Sequence, residues 1–414
     1  MSATVTRTVL GLSWPAEVTP AEKRSLVAGG LGWLLDAMDV MLYSLVLVHL
    51  MRDLGMDTRT GGLLNSLTLV ASAIGGFAFG FLADRVGRTR ALILSILVYS
   101  LASGACGLST TVVQLAIFRF VLGLGMGGEW TTGAALIAET WRAEHRGKAL
   151  GLMQSTWAIG EIVAALVVGL VLPRFGWRAV FFVGIVPALL VLWIRRDVPE
   201  SEIWQKRGRS EPGSLRVLLR PGILGNGLLA TAMNALGMFG YWGLFTWIPA
   251  YLALPVEQGG RGLDLFRTTT WLVVMGLGKF LGYALFGFAA DAFGRRRSYV
   301  VYLLVAAALV PLYGLTSSPT WLLVLGPFVA FFGTGFFSGF SALSAELFPT
   351  EVRATAMGLS YNIGRGFSAI APFVVGWLAK KYGLGSAFFL QAFAFFLAAL
   401  LALALPETKG KALE

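Results

Sequence analysis

The sequence predicts an all-α integral membrane protein, with twelve transmembrane helices in two pseudo-symmetric six-helix halves. Three observations predict it: composition, a series of apolar runs, and a repeat. Of 414 residues, 56% are hydrophobic and 13% charged, and the mean hydropathy is +0.74. A soluble chain of that balance could not cover its surface with polar groups.

Apolar runs of about 20 residues mark membrane spans. They fall at 27–49, 61–83, 91–109, 112–137, 149–172, 179–194, 223–252, 269–290, 298–316, 320–345, 354–378 and 384–405. The expected organisation is a cytoplasmic segment 1–26, a half 27–194, a cytoplasmic linker 195–220, a half 221–405 and a cytoplasmic tail 406–414. Residues 1–25 are polar and offer no cleavable signal peptide. With the N-terminus inside, cytoplasmic segments hold 22 Lys and Arg and periplasmic segments 8, while Arg119, Lys279 and Arg365 lie within spans. That asymmetry follows the positive-inside rule and places both termini in the cytoplasm. The net charge of +11 is thereby read as topology-setting loop charge, with no nucleic-acid partner implied.

The halves repeat at one offset. GFLADRVGRTR, Gly80 to Arg90, returns 207 residues later as GFAADAFGRRR, Gly287 to Arg297. The same shift carries Glu139, Glu144, Arg146 and Gly151 onto Glu346, Glu351, Arg353 and Gly358, and Pro199-Glu200-Ser201 onto Pro406-Glu407-Thr408. Six-plus-six parallel repeats of this kind resemble the major facilitator superfamily, and GFLADRVGRTRAL is similar to its best-known signature. VPESEIW and PETKG resemble the sugar-porter branch. GWLLDAMD, GLGMGGEW, GWRAVFFVGIVP and YWGLFTWIPAYL look more like the metabolite:proton symporters, carriers of aromatic acids, sialic acid and lactate.

Residues kept in both halves serve what the halves share. Asp84, Arg88, Arg90, Glu139 and Arg146, with Asp291, Arg295, Arg297, Glu346 and Arg353, are candidates for a cytoplasmic gate, a role the resemblance implies. A solvated loop whose arginines only set topology is the plainer alternative. The charges inside the spans have no repeat. Asp36 and Asp39 map to Gly243 and Thr246, Arg119 to Gly326, Glu129 to Phe336, Glu161 to Ser368, Lys279 to Ser72 and Arg365 to Ala158. The scaffold does not require them, so they are functional candidates.

Helix rise puts Asp36 and Asp39 near the middle of the first span, with Arg119 roughly 9 Å to the periplasmic side of the middle of the fourth. Glu129 falls roughly 6 Å to the cytoplasmic side. Asp39, Asp36, Arg119 and Glu129 are therefore expected to couple protons, with Arg119 reaching toward Asp39. The resemblance implies the same role for an acid–arginine pair at Asp39 and Arg119. Glu161 and Lys279 fall near the midplane, on helices that face each other in the superfamily's fold, and are expected to pair. Arg365 can bind a carboxylate as a bidentate fork or snorkel to the headgroups. Gln154, Asn234, Tyr241 and Trp242 complete the candidate substrate contacts. Pro187, Pro249, Pro327 and Pro372 are expected to kink their helices, and the Gly123–Gly127 pair to pack closely against a neighbour.

Two histidines and one cysteine leave no metal cluster, no disulfide and no cofactor motif. With no phosphate loop either, the chain reads as no enzyme and no ATP-driven pump. The expectation is a proton-coupled symporter of a small organic solute, a carboxylate above all, acting as a monomer in the inner membrane. A proton-coupled sugar or polyol symporter, suggested by Gln154 and PETKG, and an exporter of amphiphilic compounds are the alternatives.

Overall fold

A computed structural model describes residues 18–206, 220–348 and 353–409. Helices dominate: α1 Pro20–Asp53, α2 Thr58–Val86, α3 Arg88–Cys106, α4 Val112–Thr140, α5 Ala143–Val183, α6 Pro187–Asp197 and the short α7 Glu202–Lys206. The chain resumes with α8 Pro221–Phe245, α9 Ile248–Ala253, α10 Leu265–Phe293, α11 Arg295–Leu315, α12 Pro319–Leu347, α13 Arg353–Ser368, α14 Ala371–Tyr382 and α15 Leu384–Ala404. Ten helical runs among the described residues are long and apolar enough to cross a membrane. One of them, Ala149–Asp197, is broken where Gly176 leaves the helix at φ 76°, and it holds the fifth and sixth expected spans. The eleventh span is interrupted between α13 and α14, so neither piece is long enough alone.

Local chemistry sets the ends. Thr19 and Glu22 form a capping box at α1, while Asp57, Thr111 and Asp264 cap α2, α4 and α10. Pro187, Pro249 and Pro372 stand in the first turns of α6, α9 and α14, where their missing N–H costs nothing. Each restarts a helix that its ring would otherwise interrupt. Pro327 differs, because α12 runs through it without a break.

Packing is tightest where glycine lets backbones meet. A Cβ on Gly123 or Gly127 of α4 would collide with the Thr68 and Ser72 carbonyls of α2, the close approach expected for that pair. The outer surface is apolar, with Leu170, Leu192, Val113 and Phe266 more than three-fifths exposed, while Asp36, Asp39, Arg119 and Glu129 are wholly buried. Apolar outside and charged inside is the arrangement of a protein solvated by lipid.

α1–α6 pack mainly on one another, as do α8–α15, and the two groups meet along α5–α10 and α2–α14. Their links among the described residues lie at the midplane or at the end away from the termini, hereafter the far end. There the Thr58 hydroxyl donates to the Gly376 carbonyl (3.1 Å), the Phe373 N–H to Ser66 (3.1 Å) and Lys380 to Asp57 (2.9 Å). Near the opposite end, positions Gly151, Gly287 and Gly358 have no atom of another described residue within 4 Å of where a Cβ would stand.

Candidate functional site

The repeated motifs fold into matching clusters, each inside its own half. α3 and α11 begin at Gly87 and Gly294, with φ 108° and 99° and no side chain to cap the helix. Carboxylates from elsewhere supply the cap: Glu200 accepts from the N–H of Arg88 (2.8 Å) and Thr89 (3.2 Å). Glu407 accepts from Arg295 (2.8 Å) and Arg296 (3.2 Å). An anion on a helix N-terminus is favoured by the unpaired N–H groups and the dipole. Burial works against the charge of Glu407, but the N–H donors of Lys409, Arg295, Arg296 and Thr408 outweigh it and hold its pKa below the usual value.

Arg88 then pairs with Glu139 (3.0 Å) and Arg295 with Glu346 (3.2 Å). The hydroxyls of Ser201 and Thr408 donate to those same glutamates. Each of these pairs, drawn from the gate candidates, lies within one half. Arg90 and Arg297 are exposed. The side chains of Asp84, Arg146, Asp291 and Arg353 lie outside the described residues.

At the midplane the unrepeated charges converge. Glu161 of α5 forms the expected ion pair with Lys279 of α10. Its Oε1 also accepts from the Trp157 indole (2.8 Å) and the Tyr241 hydroxyl (2.7 Å). Lys279 lies over the Phe245 ring at 3.8 Å, and Trp242 packs edge-on against Trp157 and Tyr241.

Arg365 of α13 is only 2% exposed, so it does not snorkel; burial overturns that alternative. From the second half it sits within electrostatic reach of Asp36 on α1 and Glu129 on α4. Among the described residues neither carboxylate has a hydrogen-bond partner, and the Arg365 Nε has none. Nη2 of Arg365 reaches the Tyr361 hydroxyl at 3.3 Å. Tyr361 stacks on Trp130 of the first half, centroids 4.2 Å apart and planes 10° from parallel. The Trp130 indole donates to Gln154 (3.3 Å). Asn234, fully buried with its Oδ1 unpartnered, abuts α13 at Gly364 beside Arg365. The result is a buried guanidinium, a flat aromatic wall and two amides at the seam between the halves.

Arg119 and Asp39 do not make the expected hydrogen-bonded pair. Arg119 Nη2 donates to Asn65 Oδ1 of α2 (2.8 Å), and its guanidinium lies 4.1 Å above the Tyr43 ring. Asp39 lies beside the Ser103 hydroxyl and Gly184, and feels Arg119 only at a distance. Asn65, Tyr43, Trp130, Trp157 and Tyr361 were missed in the sequence. For Asn65 a signal existed, as an amide within an apolar span.

The family model of the Major Facilitator Superfamily matches residues 30–264 and 252–414. The chain belongs to the Major Facilitator Superfamily. A putative metabolite transport protein of Haemophilus influenzae is 34% identical over 402 residues, 94% of this chain and 98% of that protein. A cis,cis-muconate transport protein of Acinetobacter baylyi is 33% identical over 382 residues, 89% and 90% of the two chains. In fold the chain is similar to a solved D-xylose–proton symporter, with a TM-score of 0.78, 22% identity and coverage of 95% of this chain and 100% of that one. This member of the superfamily is thus a multi-pass membrane transporter of small molecules and not an enzyme.

Proposed function

We propose that the protein is a proton-coupled symporter of a small organic anion, a carboxylate, working by alternating access with both termini in the cytoplasm. The observation that carries this reading is the buried Arg365 of the second half lying within electrostatic reach of Asp36 and Glu129 of the first, two buried acids with no hydrogen-bond partner among the described residues. A buried arginine needs a counter-charge, and leaving one unmatched costs about 3–5 kcal/mol. Two kinds of group can provide it: the carboxylates, or the carboxylate of a bound substrate in bidentate geometry. An anion cannot approach while both acids are charged, because like charges in a low-dielectric site repel strongly. Protons on Asp36 and Glu129 remove that repulsion and free Arg365 for the substrate. Proton and anion thereby favour each other's binding, which is the linkage a symporter requires.

The Trp130–Tyr361 wall gives a flat apolar body a surface to lie on, and Gln154 and Asn234 offer hydrogen bonds to its polar edges. The muconate carrier among the relatives supports an organic acid. With the termini inside, the far end is periplasmic, and the Asp57–Lys380 and Thr58–Gly376 contacts join the halves there. The Glu161–Lys279 pair spans both halves and parts or persists as they rock.

Transport in proteoliposomes tests the reading. An inward-directed proton gradient should drive accumulation of aromatic or unsaturated carboxylates, and unlabelled carboxylates should elicit counterflow. Acid-stimulated uptake of sugars alone would point instead to the polyol reading, to which Gln154 beside Trp130 lends itself. Substrate-linked proton movement in the opposite direction would make the protein an exporter.

A further inference from the structure

Tyr361 of α13 touches both things a flat acid would need, an aromatic face and a guanidinium edge. Its ring lies face to face on Trp130 of the first half, centroids 4.2 Å apart and planes 10° from parallel. One helical turn along, Arg365 Nη2 donates to its hydroxyl at 3.3 Å. Nη2 and Nε form one edge of the guanidinium, an edge that a carboxylate can grip with both oxygens. Nε is buried without a hydrogen-bond partner among the described residues, so half of that edge is open and the phenol caps the other half. The indole of Trp130 is covered in the same way: Tyr361 lies on its face, and its N–H is spent on Gln154 (3.3 Å). Trp130 and Gln154 are nevertheless partly exposed, so the stack borders accessible space. The stack also crosses the seam, since Trp130 belongs to α4 and Tyr361 to α13.

We propose that Tyr361 is a resident surrogate for the substrate: its ring holds the place of a planar body on Trp130, and its hydroxyl the place of one carboxylate oxygen on Arg365. The proposal rests on the carboxylate reading above and narrows it to acids whose carboxylate is joined directly to a flat, unsaturated body. Binding is then an exchange. The carboxylate closes on Nε and Nη2, a charge-assisted pair where the neutral hydroxyl made one bond. The flat body replaces the phenol on the indole, one stack for another. The balance favours the acid. A solute without a carboxylate cannot take the edge, and one without a flat body cannot repay the lost stack, so Tyr361 keeps its place against both. Tyr361 thereby acts as a specificity-determining residue.

Equilibrium binding to the purified protein at one mildly acidic pH tests this with benzoate and cyclohexanecarboxylate, which share the carboxylate and differ in flatness. The native protein should prefer benzoate by about threefold to tenfold, the worth of one stacked pair. Tyr361→Phe keeps the ring and removes the competitor for Nη2, so both acids should bind about fivefold tighter, the worth of roughly one neutral hydrogen bond. Tyr361→Ala removes the whole surrogate and should tighten both further, with the preference for benzoate intact. Trp130→Leu should erase the preference while both acids still bind. Weaker benzoate binding in the two Tyr361 variants would make Tyr361 a ring the substrate lies against and overturn the surrogate, as would unchanged binding in both. A native protein with no preference for benzoate would remove the flat body from the proposal. Binding of neither acid by the native protein or by Tyr361→Phe would sink the carboxylate reading itself.

Discussion

The two ends of the repeat and the middle of the bundle follow opposite rules. At the termini-bearing end, Gly87, Arg88, Glu139, Glu200 and Ser201 of one half are matched contact for contact by Gly294, Arg295, Glu346, Glu407 and Thr408 of the other. At the midplane nothing matches: the first half brings Asp36, Glu129 and Glu161, and the second brings Lys279 and Arg365. The matched clusters show what any six-helix half needs to seat its third helix. The mismatch divides the charges between the two halves, and on the proposed alternating-access reading each cycle rearranges them. Symmetry holds the scaffold; its absence marks the chemistry.

The largest effect is expected where the asymmetry is greatest. Arg365→Gln should lower carboxylate uptake by at least about a hundredfold, since roughly 3–5 kcal/mol attaches to a buried charge and its partner. Uptake within a few-fold of native would remove Arg365 from the site.

Matched glycines test the symmetric side. Gly87→Ala and Gly294→Ala each force a side chain into positive φ, at about 1–2 kcal/mol, and each new Cβ would run into the capping Glu200 or Glu407 carboxylate. Thermal unfolding in detergent should show similar drops for the two. A large loss for one and none for the other would break the equivalence of the halves.

The smallest effect concerns the far-end clasp. Hydrogen bonding from Lys380, with the N–H and hydroxyl of Thr60, holds the Asp57 carboxyl well below its usual range. A lowered pKa means the contact favours closure above the ordinary carboxylate value of about 4. It is lost only as pH falls through the lower folded value. Thiol labelling of Ala379→Cys at the far end, in a Cys106→Ser background, should therefore be flat from about pH 5 to 8 if this clasp alone sets it. Lys380→Ala should change labelling about twofold or less, because both groups are partly exposed and screened.

Much of this was legible in the sequence because it is one-dimensional. Apolar length gives spans, and a fixed offset gives two halves. Depth along two facing helices anticipated Glu161 with Lys279. Depth gives no azimuth, however, and that is where reading stopped. Arg119 lies at a height from which Asp39 is reachable, but its side chain turns to Asn65 and Tyr43. The Arg88 and Arg295 pairs could not be assigned within or between halves, because both geometries satisfy the same repeat. Arg365 with Asp36 and Glu129 needs three helices from two halves, and no local pattern announces such a meeting.

The proposed joint uptake of protons and anion at Arg365 is tested most directly by equilibrium binding of a carboxylate substrate to the purified protein between about pH 5 and 8. Native affinity should weaken as pH rises, by up to about tenfold per unit for each proton taken up with the anion. In Asp36→Asn/Glu129→Gln, where no charge can return to compete for Arg365, affinity should stay high and nearly independent of pH. The same pH slope in native and variant would contradict the account.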